Sequence, residues 1–312
     1  MSDHNDSEEP VVEPVRRCAW AKINLYLHVT GRRPDGYHEI DSLIVFAGIG
    51  DRLQVTAADR LELEVCGPLA AAVPGDGENL ALRAARALSD HCRPAGGARI
   101  GLGKHLPVAA GLGGGSADAA AVLAALGEHW RVSLARPRLY EIALGLGADV
   151  PVCLYGRPAF ADGIGERLTR APPLPPAWLV LVNLGAGLAT AEVYAARTGG
   201  FSAPGRWTKT LPDLNALAER LAGLRNDLEA PARALVPEVG EALALIGRLP
   251  EVLLARMSGS GATCFGLFAA RQAADTAAAA IAAERPDWWI RVAPLLHGPL
   301  DRLRPPPPAE PA

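Results

Sequence analysis

The sequence predicts an α+β fold in two domains, and three observations carry that expectation. Alanine and leucine supply most of the apolar load while aromatics are only 5% of the chain, a balance that favours helices laid over sheets. Segments of strand period and helical period follow one another without strict βαβ alternation, which speaks against a doubly wound sheet. Pro172, Pro173, Pro175 and Pro176 interrupt the pattern near mid-chain and mark a domain boundary. The chain has 312 residues, 49% hydrophobic and 21% charged, which is enough for two packed units. The expected division is a disordered tail over 1–14, an N-terminal domain over 15–170, a C-terminal domain over 171–303 and a proline-rich tail over 304–312.

In chain order, Ala21, Ile23, Leu25, Leu27 and Val29 alternate with Lys22, Asn24, Tyr26 and His28. Period two predicts a strand over 19–29 with one apolar face and a second face whose polar groups converge on a ligand. Pro34, Asp35 and Gly36 supply turn chemistry, and a short apolar strand is expected over 43–46. Helices are expected over 79–88, 116–129 and 137–146, then a short strand over 150–154. Beyond the prolines, a buried strand is expected over 178–184 and helices over 214–224 and 239–249. A strand–turn–strand is expected over 255–268, a helix over 275–284 and a last strand over 289–294.

A formal net charge of -3 argues against a general nucleic-acid binder, which needs a basic surface. Cys18, Cys66, Cys92, Cys153 and Cys264 are odd in number and lack metal-ligand spacing, so reduced thiols in a cytoplasmic protein are expected. No long uninterrupted apolar run appears, so no membrane span is expected. The acidic N-terminus lacks a signal segment.

The chemistry concentrates in Pro107, Val108, Ala109, Ala110, Gly111, Leu112, Gly113, Gly114, Gly115, Ser116 and Ala117. Four glycines in five positions let the backbone curl so that N–H groups converge on an anion. A strong helix follows directly, adding its own N-terminal N–H groups and the positive end of its dipole. Ser116 offers a hydroxyl to a phosphate oxygen or to magnesium. The same residues would also serve as a flexible turn with Ser116 as a helix cap. Two familiar phosphate loops are excluded: Gly103 and Lys104 are followed by His105, not by a hydroxyl residue, and Ser116 stands where a dinucleotide fingerprint needs glycine. Phosphoryl transfer to an alcohol calls for an acid that takes the hydroxyl proton, and Asp149, expected at a helix-to-strand corner, is the candidate. Helix-end solvation is the alternative for Asp149. Lys22 would hold it ionised and neutralise the transferred group, although an isolated strand lysine is commonly just solvated.

These segments resemble the GHMP kinase superfamily. The resemblance rests on Ala21–Leu25, Asp35 to His38, 106–120, 147–151, Arg225 to Glu229 and Met257 to Ala262, in order along residues 18–268. It is closest to a branch whose acceptor alcohol is linked to cytidine diphosphate. It implies a two-domain fold with the active site in the interdomain cleft, the N-terminal domain binding ATP and the C-terminal one the substrate. It further implies transfer of the ATP γ-phosphate to the 2-hydroxyl of a cytidine-diphosphate-linked methylerythritol, with Mg2+ riding on the nucleotide. By the same resemblance Asp149 is the base, Lys22 its partner and residues 107–117 the ATP loop. Tyr37 and His38 would hold the cytosine, Tyr194 its opposite face, and Asn24 would stand near the transferred group. Aromatic rings that sandwich a base beside a donor and acceptor that read its edge make physical sense of that set. Asp227 is read as a helix cap or a ligand contact, and Ser258 to Gly261 as a phosphate contact or a tight hairpin. Another kinase of the superfamily, acting on homoserine, mevalonate or a sugar, and a non-catalytic nucleotide binder are the alternatives.

Overall fold

The computed structural model describes residues 13–73 and 79–300. The expected tails at 304–312 and, but for Glu13 and Pro14, at 1–14 lie outside the described residues. Two long strands organise the N-terminal half. β1 (Val15–Arg32) and β2 (His38–Ala58) form an antiparallel hairpin closed at Pro34, Asp35 and Gly36, where Asp35 Oδ1 accepts from the Tyr37 N–H at 3.2 Å. The strand expected over 43–46 is one stretch of β2. Gly48, Gly50 and Asp51 interrupt the apolar pattern there, which hid the strand's length. Gly50 is needed because a Cβ would sit 2.3 Å from the carbonyl oxygen of Ala19 on β1.

One edge of β2 carries β1 along its length. The other edge takes β5 (Ala159–Gly163), then the end of β10 (Trp289–Leu296), then β4 (Gly97–Gly103). β3 (Leu61–Cys66) pairs parallel with β4, and β6 (Arg167–Arg170) antiparallel with β5. In the C-terminal half, β10 continues through β7 (Trp178–Asn183) and β9 (Cys264–Phe268) to β8 (Leu254–Met257), all antiparallel. The sheet is therefore largely antiparallel, as an α+β class requires. The strand–turn–strand and the last strand fall where expected.

Helices α1 (Leu80–Cys92), α2 (Gly114–His129) and α3 (Arg136–Leu146) match the expected segments, with Asn79 capping α1 through its side chain. Residues 117–123 of α2 are all buried, so this helix runs through the core rather than along it. The strand expected over 150–154 is instead α4 (Val150–Tyr155). Val150, Val152 and Cys153 have strand-like composition, but Pro151 in the first turn and left-handed Gly156 after the last are helix-end chemistry, and they decide the local structure. α6 (Leu214–Ala222), α8 (Glu238–Gly247) and α9 (Arg271–Glu284) agree with expectation, while short α5 (Thr190–Ala196) and α7 (Glu229–Leu235) lacked enough period to be read.

One apolar cluster joins α1–α4 to β1–β4, and another joins α5, α7, α8 and α9 to β7 and β9. A third lies between them, where Ile23, Leu25, Leu106 and Leu112 meet Leu181, Leu217 and Phe265. The glycine loop and β1 sit on this shared layer, so the site rests on a core common to both halves. β1 departs from its expected half-exposed pattern. Lys22, Asn24, Tyr26 and His28 are all buried, because the C-terminal half covers the polar face.

Candidate active site

Lys22, Asn24, the glycine loop, Asp149, Tyr37, His38 and Tyr194 surround one cavity of about 1000 Å³. It is lined from both halves of the chain, with Thr190, Tyr194, Gly259 and Ser260 facing the N-terminal elements. Lys22 Nζ lies 2.9 Å from Asp149 Oδ2 and donates to Asn24 Oδ1 at 2.9 Å. The lysine is buried, whereas 41% of the Asp149 side chain is exposed. The cation is therefore anchored while the carboxylate faces the cavity. Asp149 stands before α4 at a helix-to-helix corner, where the sequence suggested a helix-to-strand corner. The carboxylate projects into the cleft all the same.

The glycine loop is held through its main chain. Lys22 N–H donates to the Leu112 carbonyl at 2.8 Å, Thr263 N–H to the Ala110 carbonyl at 3.2 Å and Ser258 Oγ to the Gly111 carbonyl at 3.0 Å. Gly111 has φ +73°, and a Cβ there would lie 2.4 Å from the Ser258 carbonyl oxygen. Gly113 is the left-handed residue before α2, so Ser116 belongs to the first turn of the helix rather than capping it. Of the loop residues, Leu112 and Ala117 turn into the core, and the other nine line the cavity. The first-turn N–H groups of α2 are free of capping side chains and open to an anion.

Beneath the loop lies a buried charge cluster. Lys104 Nζ bridges Asp51 Oδ2 at 2.5 Å and Asp118 Oδ2 at 2.6 Å, and Asp51 Oδ1 accepts from the His105 and Leu106 N–H groups. Burial, then the neighbouring Asp51 carboxylate, push the Asp118 carboxyl up to about 8 against the pull of Lys104. Burial pulls the Lys104 ammonium down, but the two carboxylates outweigh it and hold it above its ordinary range. Lys104 entered the sequence reading only as the failed end of a P-loop, Asp118 only as the end of the glycine-loop segment with no role, and Asp51 not at all, because no local pattern links these three residues.

At the far end of the cavity, the His38 and Tyr194 rings stack with centroids 5.0 Å apart, and Tyr37 is 62% exposed. Burial, with Arg32 and Arg197 nearby, lowers the His38 pKa, so its ring is neutral near pH 7 and offers one donor and one acceptor. Thr190 and Ser260, hydroxyl to hydroxyl at 2.9 Å, also line the cavity; Ser260 belongs to the turn marked in the sequence, whereas Thr190 was not read from it. The turn at Ser258 to Gly261 is a tight hairpin that clips the glycine loop, and its Gly259 and Ser260 also reach the cavity. Asp227 does not cap α7. It accepts from the Val29 N–H at 2.7 Å and from Ser202, and pairs with Arg225, so it pins the end of β1; Asn226 Oδ1 takes the Leu228 N–H instead.

With this arrangement in view, comparison with known proteins places the chain. Residues 79–157 match the model for the GHMP kinases N terminal domain, and residues 208–287 that for the GHMP kinases C terminal. A homoserine kinase from Cytophaga hutchinsonii shares the fold, with a TM-score of 0.67 over 95% of this chain and 98% of that one at 17% identity. The class is thus a GHMP kinase. A 4-diphosphocytidyl-2-C-methyl-D-erythritol kinase from Paramagnetospirillum magneticum is 55% identical over 88% of this chain and 96% of its own. One from Rhodospirillum rubrum is 49% identical over 90% and 92%. A crystal structure of 4-(cytidine 5'-diphospho)-2C-methyl-D-erythritol kinase superposes with a TM-score of 0.75 at 38% identity, covering 91% of this chain and 100% of that one. The chain belongs to the 4-diphosphocytidyl-2-C-methyl-D-erythritol kinase family of GHMP kinases.

Proposed function

We propose that this chain transfers the γ-phosphoryl group of ATP to the 2-hydroxyl of 4-diphosphocytidyl-2-C-methyl-D-erythritol. The products are the 2-phosphate and ADP, in the non-mevalonate route to isoprenoid precursors. The observation that carries the reading is the Lys22–Asp149 pair, 2.9 Å apart, in a cavity with the glycine loop at one end and an aromatic cluster at the other.

The substrate hydroxyl oxygen attacks the γ-phosphorus while its proton passes to Asp149. The bond from that phosphorus to the bridging oxygen breaks, and ADP leaves with the electron pair. Lys22 stays charged, orients the Asp149 carboxylate and neutralises charge on the transferred group. Main-chain N–H groups of residues 107–117 and the start of α2 receive the triphosphate. Asn24 is positioned beside the transferred group. Tyr37 and Tyr194 sandwich the cytosine, and His38 reads its edge.

Among the described residues no cluster of three or more His, Cys, Asp or Glu side chains is placed to hold a metal. A Mg2+ ion would arrive with the nucleotide, and Ser116, which lines the cavity at the start of α2, would be the residue of the loop to hold it. It would spread the phosphate charge. Ala117 brings no second hydroxyl beside Ser116.

The domain division at 170/171 is supported by the strand ladders. β1–β6 pair among themselves and β7–β10 among themselves, joined where Leu295 and Leu296 meet Ala47 and Phe46. No helix among the described residues is long and apolar enough to cross a membrane, and the unpaired cysteines support a cytoplasmic setting. An ATP-consumption assay over alcohols with and without a cytidine diphosphate group tests the acceptor. Turnover is expected only on the cytidine-linked alcohol, and turnover confined to alcohols lacking that group would overturn the assignment. Asp149→Asn is expected to fold, bind both ligands and lose turnover about 100-fold or more.

A further inference from the structure

β1 carries an extra residue at Leu25. Asn24 pairs with Ile44 and Tyr26 with Leu43, so two residues of β1 advance while β2 advances by one. Beside this bulge lies Ser42 of β2, fully buried and outside the cavity lining. Its hydroxyl donates to the Tyr26 carbonyl at 2.6 Å and accepts from Asn24 Nδ2 at 2.8 Å. The Asn24 backbone N–H donates to Ser258 Oγ at 3.1 Å, so the main chain of Asn24 is tethered and only its side chain remains to be set.

We propose that Ser42 is a positioning residue for phosphoryl transfer, acting through Asn24 to hold the Lys22 ammonium at Asp149. A hydroxyl has one proton. Because that proton goes to the Tyr26 carbonyl, Ser42 meets Asn24 with a lone pair, and the Asn24 amide must turn its NH2 toward Ser42. Its Oδ1 then faces Lys22 Nζ at 2.9 Å. The opposite flip would set an NH2 against an ammonium and an amide oxygen against a hydroxyl whose proton is already taken. Both ends of the amide therefore select one orientation. Lys22 is the buried member of the pair with Asp149, so where Asn24 holds the ammonium decides where the exposed carboxylate rests. Ser42 thus touches neither substrate nor nucleotide, yet sets the geometry of the base.

The inference rests on the kinase reading of Lys22 and Asp149, and the experiment separates the two. Steady-state kinetics would be measured for Ser42→Ala and for Ser42→Cys, which keeps the side chain's shape but is only a weak donor and acceptor, and for both changes in an Asn24→Ala background. In the otherwise wild-type enzyme, each is expected to lower kcat about tenfold with KM for both substrates within about twofold. In the Asn24→Ala background, neither is expected to lower kcat by more than about twofold, because the path is already broken. If Ser42→Ala does not fold, Ser42→Cys decides. Unchanged kcat in the single variants overturns the inference, as does a full tenfold loss repeated in the Asn24→Ala background, which would mark Ser42 as generic packing. If Asp149→Asn kills turnover while Ser42→Cys keeps it, only the role of Ser42 falls. If Asp149→Asn itself keeps turnover, the kinase reading of the pair falls first.

Discussion

At one end of the cavity, three main-chain carbonyls of the glycine loop, those of Ala110, Gly111 and Leu112, accept from Thr263, Ser258 and Lys22. At the other end, Tyr37 projects from a turn with 62% of its surface exposed, and His38 rests on Tyr194. The glycine-loop end is backbone, locked by β1 and by the turn between β8 and β9. The aromatic end is side chain, and Tyr37 there is exposed. A triphosphate is common to all kinases, so a rigid cradle suits it. The acceptor distinguishes one kinase from another, and replaceable side chains carry that distinction at little cost to the fold.

The largest expected effect breaks the rigid end. Gly111→Ala puts a methyl into backbone at a left-handed φ, and is expected to cost more than about 2 kcal/mol of stability and to raise KM for ATP about tenfold. Gly115→Ala is its foil: the new methyl meets only Leu80 Cδ1, at 3.4 Å, and stability should hold within about 1 kcal/mol. Denaturant titration of both variants checks the contrast, and equal losses would show that loop rigidity is not local to Gly111.

A second variant, with little expected effect on stability, tests the aromatic end. Tyr37→Ala is expected to raise KM for the cytidine substrate about 5- to 100-fold, the range of one stacking contact, with KM for ATP and the melting temperature nearly unchanged. Parallel rises in both KM values would dissolve the division between the two ends.

A last test reads the charge cluster under the loop through the pH dependence of stability. The Asp118 carboxyl is held at about 8 in the fold against an ordinary 3.8. The folded state thus keeps a proton that the unfolded chain releases, and stability should decline as pH rises from about 4 to about 8, then level. Asp118→Asn should flatten that part of the profile. Melting temperatures from pH 5 to 9 decide, and identical slopes for the two proteins would remove Asp118 from the account.

Local chemistry was legible wherever it was dense. The glycines before α2, the turn at Pro34 to Gly36 and the alanine-rich helices needed no distant partner to be read. Two misreadings were themselves local: β-branched residues outweighed Pro151 and Gly156 at α4, and the interior glycines of β2 read as its end. The cap alternative for Asp227 failed for another reason, since its partners Val29 and Ser202 lie far from it in the chain.

By itself the sequence determined that a glycine loop leads into a buried helix and offered Asp149 and Lys22 as chemistry, because backbone freedom and helix ends are properties of neighbouring residues; Asn24, Tyr37 and His38 were marked only by resemblance to a family. Only the tertiary structure decided that Lys22 meets Asp149, that Ser258 clips the loop, that Lys104 joins Asp51 to Asp118, and that Ser42 orients Asn24. Each of these joins segments far apart in the chain. Such contacts arise from strand register, bulge and shared core, which no local pattern of residue types specifies.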